Sequence, residues 1–227
     1  MKVNLIKYTR EPEKAVAVAA RLCYSPAGAD ELMDELSGES IEKLVRFVIE
    51  SGHHSTVEHV SFTFAIEGVS RALTHQLVRH RMASYNQQSQ RYVKLRDKFE
   101  YITPPSIKED EECRNIFDKM VSHIHNLYEE LLDKGIKAED ARYILPNASE
   151  TKIIVTMNGR ELLHFFTVRC CNRAQWEIRE LAIKMLKLVK KVAPVIFEKA
   201  GPPCLRGPCP EGKFQCDDPP EASDFDV

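Results

Sequence analysis

The chain has 227 residues, 43% hydrophobic and 29% charged, with a formal net charge of -2, so it is large enough to bury a core without disulfides or structural metals. The slight acidity excludes a surface that coats nucleic acid and confines any anion site to a local patch. Seven cysteines at scattered positions suit reduced thiols better than a disulfide framework. The start, MKVNLIKYTREPEK, carries no long apolar run, and no run of membrane-spanning length follows, which reads as a cytoplasmic protein.

In chain order, Val3 to Tyr8 reads as a strand and about Glu11 to Cys23 as a helix, with Pro12 tolerated in its first turn. Ser40 is suited to cap a helix whose apolar face is Ile41, Leu44, Val45 and Val48. SFTFAIEG alternates Phe62, Phe64 and Ile66 against Thr63 and Ala65, the period of a strand. Ser70 to about His80 reads as helical. Steps of three and four between Ile116, Met120, Ile124, Leu127 and Leu131 predict an amphipathic helix over about Glu109 to Lys134, stopped by Gly135. AEDARYIL is a short helix ended by Pro146, TKIIVTM a strand, and GRELLHFFTVRCC and AQWEIRELAIKMLKLVKKV are helices.

Seven of the twelve prolines lie from Pro194 onward, and the residues after Gly201 show little periodicity, so a catalytic domain over residues 1–200 and a poorly structured Pro/Cys/Asp-rich tail over 201–227 are expected. The predicted class is α+β: one helix-rich domain with a small, central, mostly antiparallel sheet flanked by helices. None of the nine glycines forms G-x-G, which excludes a Rossmann fingerprint and a P-loop.

No Asp or Glu lies between Glu67 and Asp97, and inside that stretch stands RHRMASYNQQSQRY, Arg79 to Tyr92. Surface helices normally interleave acids with bases, and here there are none to pair. Arginine forks match phosphate oxygens, and Asn and Gln present a donor beside an acceptor, as the imide edge of a pyrimidine does. The segment therefore reads as a nucleotide pocket.

Arg79-His80-Arg81, seven residues and then Ser89 resemble the R-H-R-x7-S signature of the flavin-dependent thymidylate synthases. GHHSTVEHVSFTF, ARYILP and MNGRELLHFFTVRCCNRAQWEI resemble three further segments of that family, and the likeness runs from the N-terminus to about residue 200. It implies reductive methylation of dUMP to dTMP, with 5,10-methylenetetrahydrofolate giving the carbon and FAD, reduced by NADPH, giving the hydride. It also implies a non-Rossmann flavin site and a homotetramer with active sites between subunits.

By the same resemblance, dUMP is expected to meet Gln76, Arg79, Gln87, Gln88, Ser89, Gln90, Arg91, Arg142 and Arg169. FAD is expected to meet His53, Ser55, Arg79, His80, Arg81, Gln87, Asn158, Arg160 and His164. Arg169 matches the arginine that favours ionisation of uracil N3, and is the expected catalytic residue. Gln87, Ser55 and His164 stand where some members carry Glu, Thr and Asn, each keeping a hydrogen-bonding group. On one helix Arg160 and His164 share a face while Arg169 lies about half a turn away, so that helix is expected to serve two pockets.

Three rivals compete with this reading. His53, His54, Glu58 and His59 have the residue types of a metal-dependent phosphohydrolase, although H-E-x-x-H is absent. Cys170 and Cys171 beside Arg169 have the makings of activated thiols. The basic segment also suits an RNA-binding module. Cys204, Cys209 and Cys216 cluster but lack paired C-x-x-C spacing and a clear fourth ligand, so no metal is expected.

Overall fold

The computed structural model describes residues 1–96 and 99–226. Four strands, β1 (Lys2–Tyr8), β2 (Ser61–Ser70), β3 (Ala83–Gln87) and β4 (Glu150–Asn158), form an antiparallel sheet in the order β1-β2-β4-β3. The helices are α1 (Pro12–Leu22), α2 (Ala29–Glu35), α3 (Gly38–Glu50), α4 (Arg71–Leu77), α5 (Pro105–Glu109), α6 (Glu111–Asp133), α7 (Ala138–Ala141), α8 (Gly159–Arg169) and α9 (Trp176–Val192). This is the helix-rich α+β fold that the periodicities predict.

Two compact units divide the chain. The first comprises Met1–Lys2, Ile66–Arg79 and Asn86–Ile153, and the second Val3–Ala65, His80–Tyr85 and Ile154–Val227.

In the first unit α6 starts at Asp110, whose carboxylate accepts from Cys113 N at 2.9 Å. Tyr128 and Leu132 of α6 pack with Ala138 and Ala141 of α7, and Leu95, Leu131 and Leu145 close over them. The helix lies where its periodicity puts it, but the burial differs from expectation. Ile116 and Met120, expected on the buried face, are 62% and 56% exposed, and Val121, Tyr128 and Leu132 are buried instead. Repetition at three and four locates an apolar stripe but does not say whether the chain itself covers it.

In the second unit Val16, Ala17, Val45 and Val48 of α1 and α3 are buried. Phe62 of β2 and Phe166 of α8 both pack edge-on against Phe197, at 5.4 and 5.9 Å between ring centres. Ser37, not Ser40, is the N-cap of α3; Ser40 occupies the third helical position, where its Oγ accepts from Ser37 N at 3.3 Å. The tail is more ordered than expected. It folds into short 3-10 turns at Pro203–Leu205, Gly212–Phe214 and Ala222–Phe225, and buries Phe225. One aromatic ring supplies enough apolar area, worth about 2 kcal/mol when buried, to anchor a segment without periodicity.

Candidate functional site

Within the first unit, β3 ends at Gln87, and its neighbour Gln88 donates its backbone N–H to Lys152 O at 2.9 Å. Gln87 Nε2 lies 3.2 Å from Thr74 Oγ1 and 3.2 Å from Thr151 Oγ1. Thr74 Oγ1 spends its own proton on Arg71 O at 2.9 Å, so it accepts from the Gln87 amide. Both amide protons are thus consumed, which leaves Oε1, an acceptor, as the remaining polar group of the Gln87 side chain. Beyond it, Ser89 Oγ accepts from Arg91 N at 3.2 Å, and the Ser89 carbonyl accepts from Tyr92 N and Val93 N. Gln87, Gln88, Ser89 and Gln90 are all half-buried, and the chain turns from Ser89 to Val93.

The acid-free segment acquires an acid from elsewhere in this unit. Arg91 Nε donates to Glu139 Oε2 at 2.5 Å, and Arg142 Nε donates to the Glu139 carbonyl at 3.1 Å. One residue of α7 therefore anchors two of the expected dUMP arginines. Among the described residues no acid is paired with Arg71 in the same way. Burial, and then the positive charge of Arg142, push its guanidinium below the usual arginine range. Gln76 lies on α4, half-buried, and Arg79 is exposed beyond the helix end.

In the second unit α8 and its cap carry three of the nine expected flavin residues, Asn158, Arg160 and His164. Asn158 caps it, its Oδ1 accepting from Glu161 N at 2.9 Å. Its first residue must be glycine: a Cβ on Gly159 would lie 2.5 Å from Val57 Cγ1 and 2.8 Å from the Val57 carbonyl. This close approach, with Gly159 N donating to Val60 O at 2.8 Å, seats α8 against the 3-10 turn His54–His59. Arg160 Nη1 then reaches Glu58 Oε1 at 2.5 Å.

Asn158, Arg160, Glu161 and His164 line a cavity of about 520 Å³, with His54, Met82 and Leu163. Arg169 lines a different one, of about 840 Å³, with Cys171, Cys204, Cys209 and Cys216. Arg160 and His164 thus share one pocket and Arg169 faces another, as their helical spacing requires. His53 and Ser55 line neither; they border an apolar cavity of about 460 Å³ with Phe47 and Tyr24. Arg81 is exposed. The guanidinium, imidazole and amide of the 520 Å³ cavity are the donors that a diphosphate and a polar ring edge need, and Met82 and Leu163 supply apolar contact, so the residues present fit a flavin.

His80 is 6% exposed and bonded at both ring nitrogens. Nδ1 lies 3.1 Å from Glu161 Oε1, and Arg169 Nε donates to Nε2 at 3.0 Å. Tyr85 Oη donates to the His80 carbonyl at 2.7 Å, and Phe165 meets the ring edge-on at 4.9 Å. Burial first, then the charges of Arg169 and His164, push His80 down to about 4, so the ring is neutral. Burial raises the Glu161 carboxyl above its usual range and lowers Arg169. Neither Glu161 nor Glu139 stands out in the sequence, where each reads as an acid in the first turn of a helix.

For Cys170 the thiol rival does not survive this geometry. Cys170 is fully buried and its thiol is pushed up to about 12 by desolvation, the opposite of activation. No group of three His, Cys, Asp or Glu among the described residues is arranged to hold a metal. No helix among them is long and apolar enough to cross a membrane.

Comparison with known proteins places the chain. A family model described as "thymidylate synthase complementing protein" matches residues 4–195. A flavin-dependent thymidylate synthase of Geobacter sulfurreducens is 57% identical over 217 residues, covering 95% of this chain and 94% of that protein. One of Clostridium tetani is 53% identical, covering 95% and 93%. Among solved structures, the UMP/dUMP methylase PolB of Streptomyces cacaoi, bound with 5-Br dUMP, superposes with a TM-score of 0.74 at 26% identity, covering 87% of this chain and 93% of that one. The chain belongs to the thymidylate synthase complementing protein family, to which it is joined along almost its whole length by relatives named flavin-dependent thymidylate synthases.

Proposed function

We propose that the protein converts dUMP to dTMP by reductive methylation, taking the carbon from 5,10-methylenetetrahydrofolate and drawing its reducing power from NADPH through bound FAD. Overall the uracil C5–H bond is broken, a C5–CH3 bond is formed, and tetrahydrofolate leaves. Bound flavin, once reduced, supplies the hydride that completes the methyl group. The observation that carries the reading is the Arg169–His80 bond in a chain so similar to flavin-dependent thymidylate synthases.

A guanidinium keeps its proton at any working pH even when burial lowers it, so Arg169 stabilises negative charge on the uracil ring throughout the reaction. That charge raises electron density at C5 for attack on the methylene carbon. Arg91, Arg142, Arg79 and Gln76 take the nucleotide, with Gln87 accepting and Gln88, Ser89 and Gln90 positioning it. Each charge-assisted bond is worth about 1.5–3 kcal/mol. Ser89 has Arg91 N on its Oγ and serves as a positioning hydroxyl. Asn158, Arg160 and His164 hold FAD, and His53, Ser55, His80, Arg81, Arg79 and Gln87 complete its surroundings.

The protein works as a homotetramer in which subunits complete one another's sites. The exposed apolar side chains of α6, Ile116, Met120 and Leu127, support such an assembly, because a contiguous apolar stripe calls for a partner surface. A visible spectrum tests the reading: the purified protein, or protein supplied with FAD, shows flavin absorbance that NADPH bleaches. Protein that takes up no flavin would overturn it.

A further inference from the structure

Arginine has five N–H donors and no acceptor. Because Arg169 Nε points at His80 Nε2 at 3.0 Å, that ring nitrogen carries no proton. A neutral ring then holds its proton on Nδ1, 3.1 Å from Glu161 Oε1, which accepts it. If Glu161 were absent, no other hydrogen bond described at Nδ1 would favour this tautomer, and a proton on Nε2 would face the Arg169 N–H head-on. His164 and Tyr85, the other titratable side chains around the ring, do not take its place: His164 stands 5.8 Å away between ring centres and Tyr85 binds the carbonyl.

We propose that Glu161 is a positioning residue for the reaction. It holds His80 in the Nδ1–H tautomer, and His80 Nε2 holds Arg169 by Nε, so that the Nη edge of the guanidinium is presented to the substrate uracil. Glu161 and Arg169 lie eight residues apart on α8, on the order of 12 Å along its axis, and the His80 ring spans the gap as a rigid strut. Side chains of a helix lean toward its N-terminus, so Arg169 on its own has rotamers that lie back along α8. Asn158 belongs to the same arrangement, since its Oδ1 bonds Glu161 N and sets the first turn from which the carboxylate projects.

The inference rests on the reading of Arg169 as the substrate arginine, and two measurements separate them. The first is calorimetric titration of dUMP into the oxidised, FAD-loaded protein, in the wild type, Glu161→Ala, Glu161→Gln, Arg169→Ala and the Glu161→Ala/Arg169→Ala double variant. Glu161→Ala is expected to weaken dUMP about tenfold, as for loss of one charge-assisted hydrogen bond. Glu161→Gln, whose amide oxygen accepts from the same Nδ1–H, is expected to restore it. Glu161→Ala should add nothing in the Arg169→Ala background. Weakening in Arg169→Ala with full affinity in Glu161→Ala overturns the strut alone. Unchanged affinity in Arg169→Ala overturns the substrate role of Arg169 and the strut's purpose with it.

The second measurement needs no variant that must fold beyond an assignment control. Ring-nitrogen NMR shifts of the FAD-loaded wild type labelled with 15N-histidine, with His80→Gln to identify the signal, should show a protonated Nδ1 and a bare Nε2. A proton on Nε2 overturns the proposal whatever the titrations show.

Discussion

Glu139 accepts the Arg91 Nε–H at 2.5 Å from a position 48 residues along the chain, and so holds in place an arginine whose own neighbourhood contains no acid. The pair is half-exposed, with Arg91 54% and Glu139 32% accessible, so its contribution to stability is within about 1 kcal/mol. Its weight falls on the ligand. Glu139→Gln keeps an acceptor for Arg91 but removes the negative charge that pairs with this arginine, which the proposed function assigns to dUMP. We expect the KM for dUMP to fall severalfold at low ionic strength, the advantage to fade at high salt, and the melting temperature to stay put. A KM that rises in Glu139→Gln would show that the charge itself holds Arg91 for the phosphate.

The two faces of α8 separate two kinds of loss. Arg160→Ala and His164→Ala, in the 520 Å³ cavity, are expected to release FAD, read as the flavin-to-protein ratio after gel filtration. Arg169→Ala is expected to keep FAD and to lose dTMP formation by a factor of 100 or more, on the order of 3 kcal/mol of transition-state stabilisation. Equal flavin loss in all three would contradict the division.

Gly159→Ala tests the seat of α8. Its Cβ would stand 2.5 Å from Val57 Cγ1 and 2.8 Å from a backbone carbonyl, which cannot yield like a flexible side chain. Denaturant unfolding should show a loss of about 1–3 kcal/mol, with weaker FAD retention because the cap Asn158 moves with the helix. Wild-type stability would mean that α8 does not lie so close to the His54–His59 turn.

His80 gives stability a pH dependence of definite sign. Its pKa falls from 6.5 in the unfolded chain to about 4 in the fold, so between those values the unfolded state binds more protons. The contribution of the buried neutral ring is complete above pH 6.5, is lost as the pH falls toward 4, and is constant below. It amounts to at most about 3 kcal/mol. The raised Glu161 carboxyl works in the opposite direction, favouring the fold as it takes up a proton. The His80→Gln variant should therefore show a flatter decline of unfolding free energy from pH 6.5 to 4 than the wild type. An unchanged decline would show that His80 does not titrate with the fold.

Helices α6 and α9 were legible because apolar side chains recur at three and four over many turns, and β2 because Phe62, Phe64 and Ile66 alternate. β3 was not, since ASYNQ offers no apolar alternation and owes its strand to pairing in the sheet. The 3-10 turn that carries His54 and Glu58 was equally hidden, because what seats it is Gly159, about a hundred residues on. The candidate site residues are named by resemblance to a known family, and not by periodicity. Glu139 and Glu161 were not legible, because an acid in the first turn of a helix has an ordinary reason to be there, and its partner is set by tertiary packing. The order of the tail is hidden for a related reason: composition argues against a core of its own and says nothing about Phe225 finding one.

A single turnover without oxygen tests the proposed reaction. Enzyme with reduced FAD is mixed with 5,10-methylenetetrahydrofolate and dUMP tritiated at C5, and dTMP, released tritium and oxidised flavin are followed together. One dTMP and one equivalent of tritium are expected for each flavin oxidised, and Arg169→Ala is expected to give none of the three while keeping its flavin. Formation of dTMP without flavin oxidation, or flavin oxidation by these substrates with tritium left on the uracil, would contradict the proposed reaction.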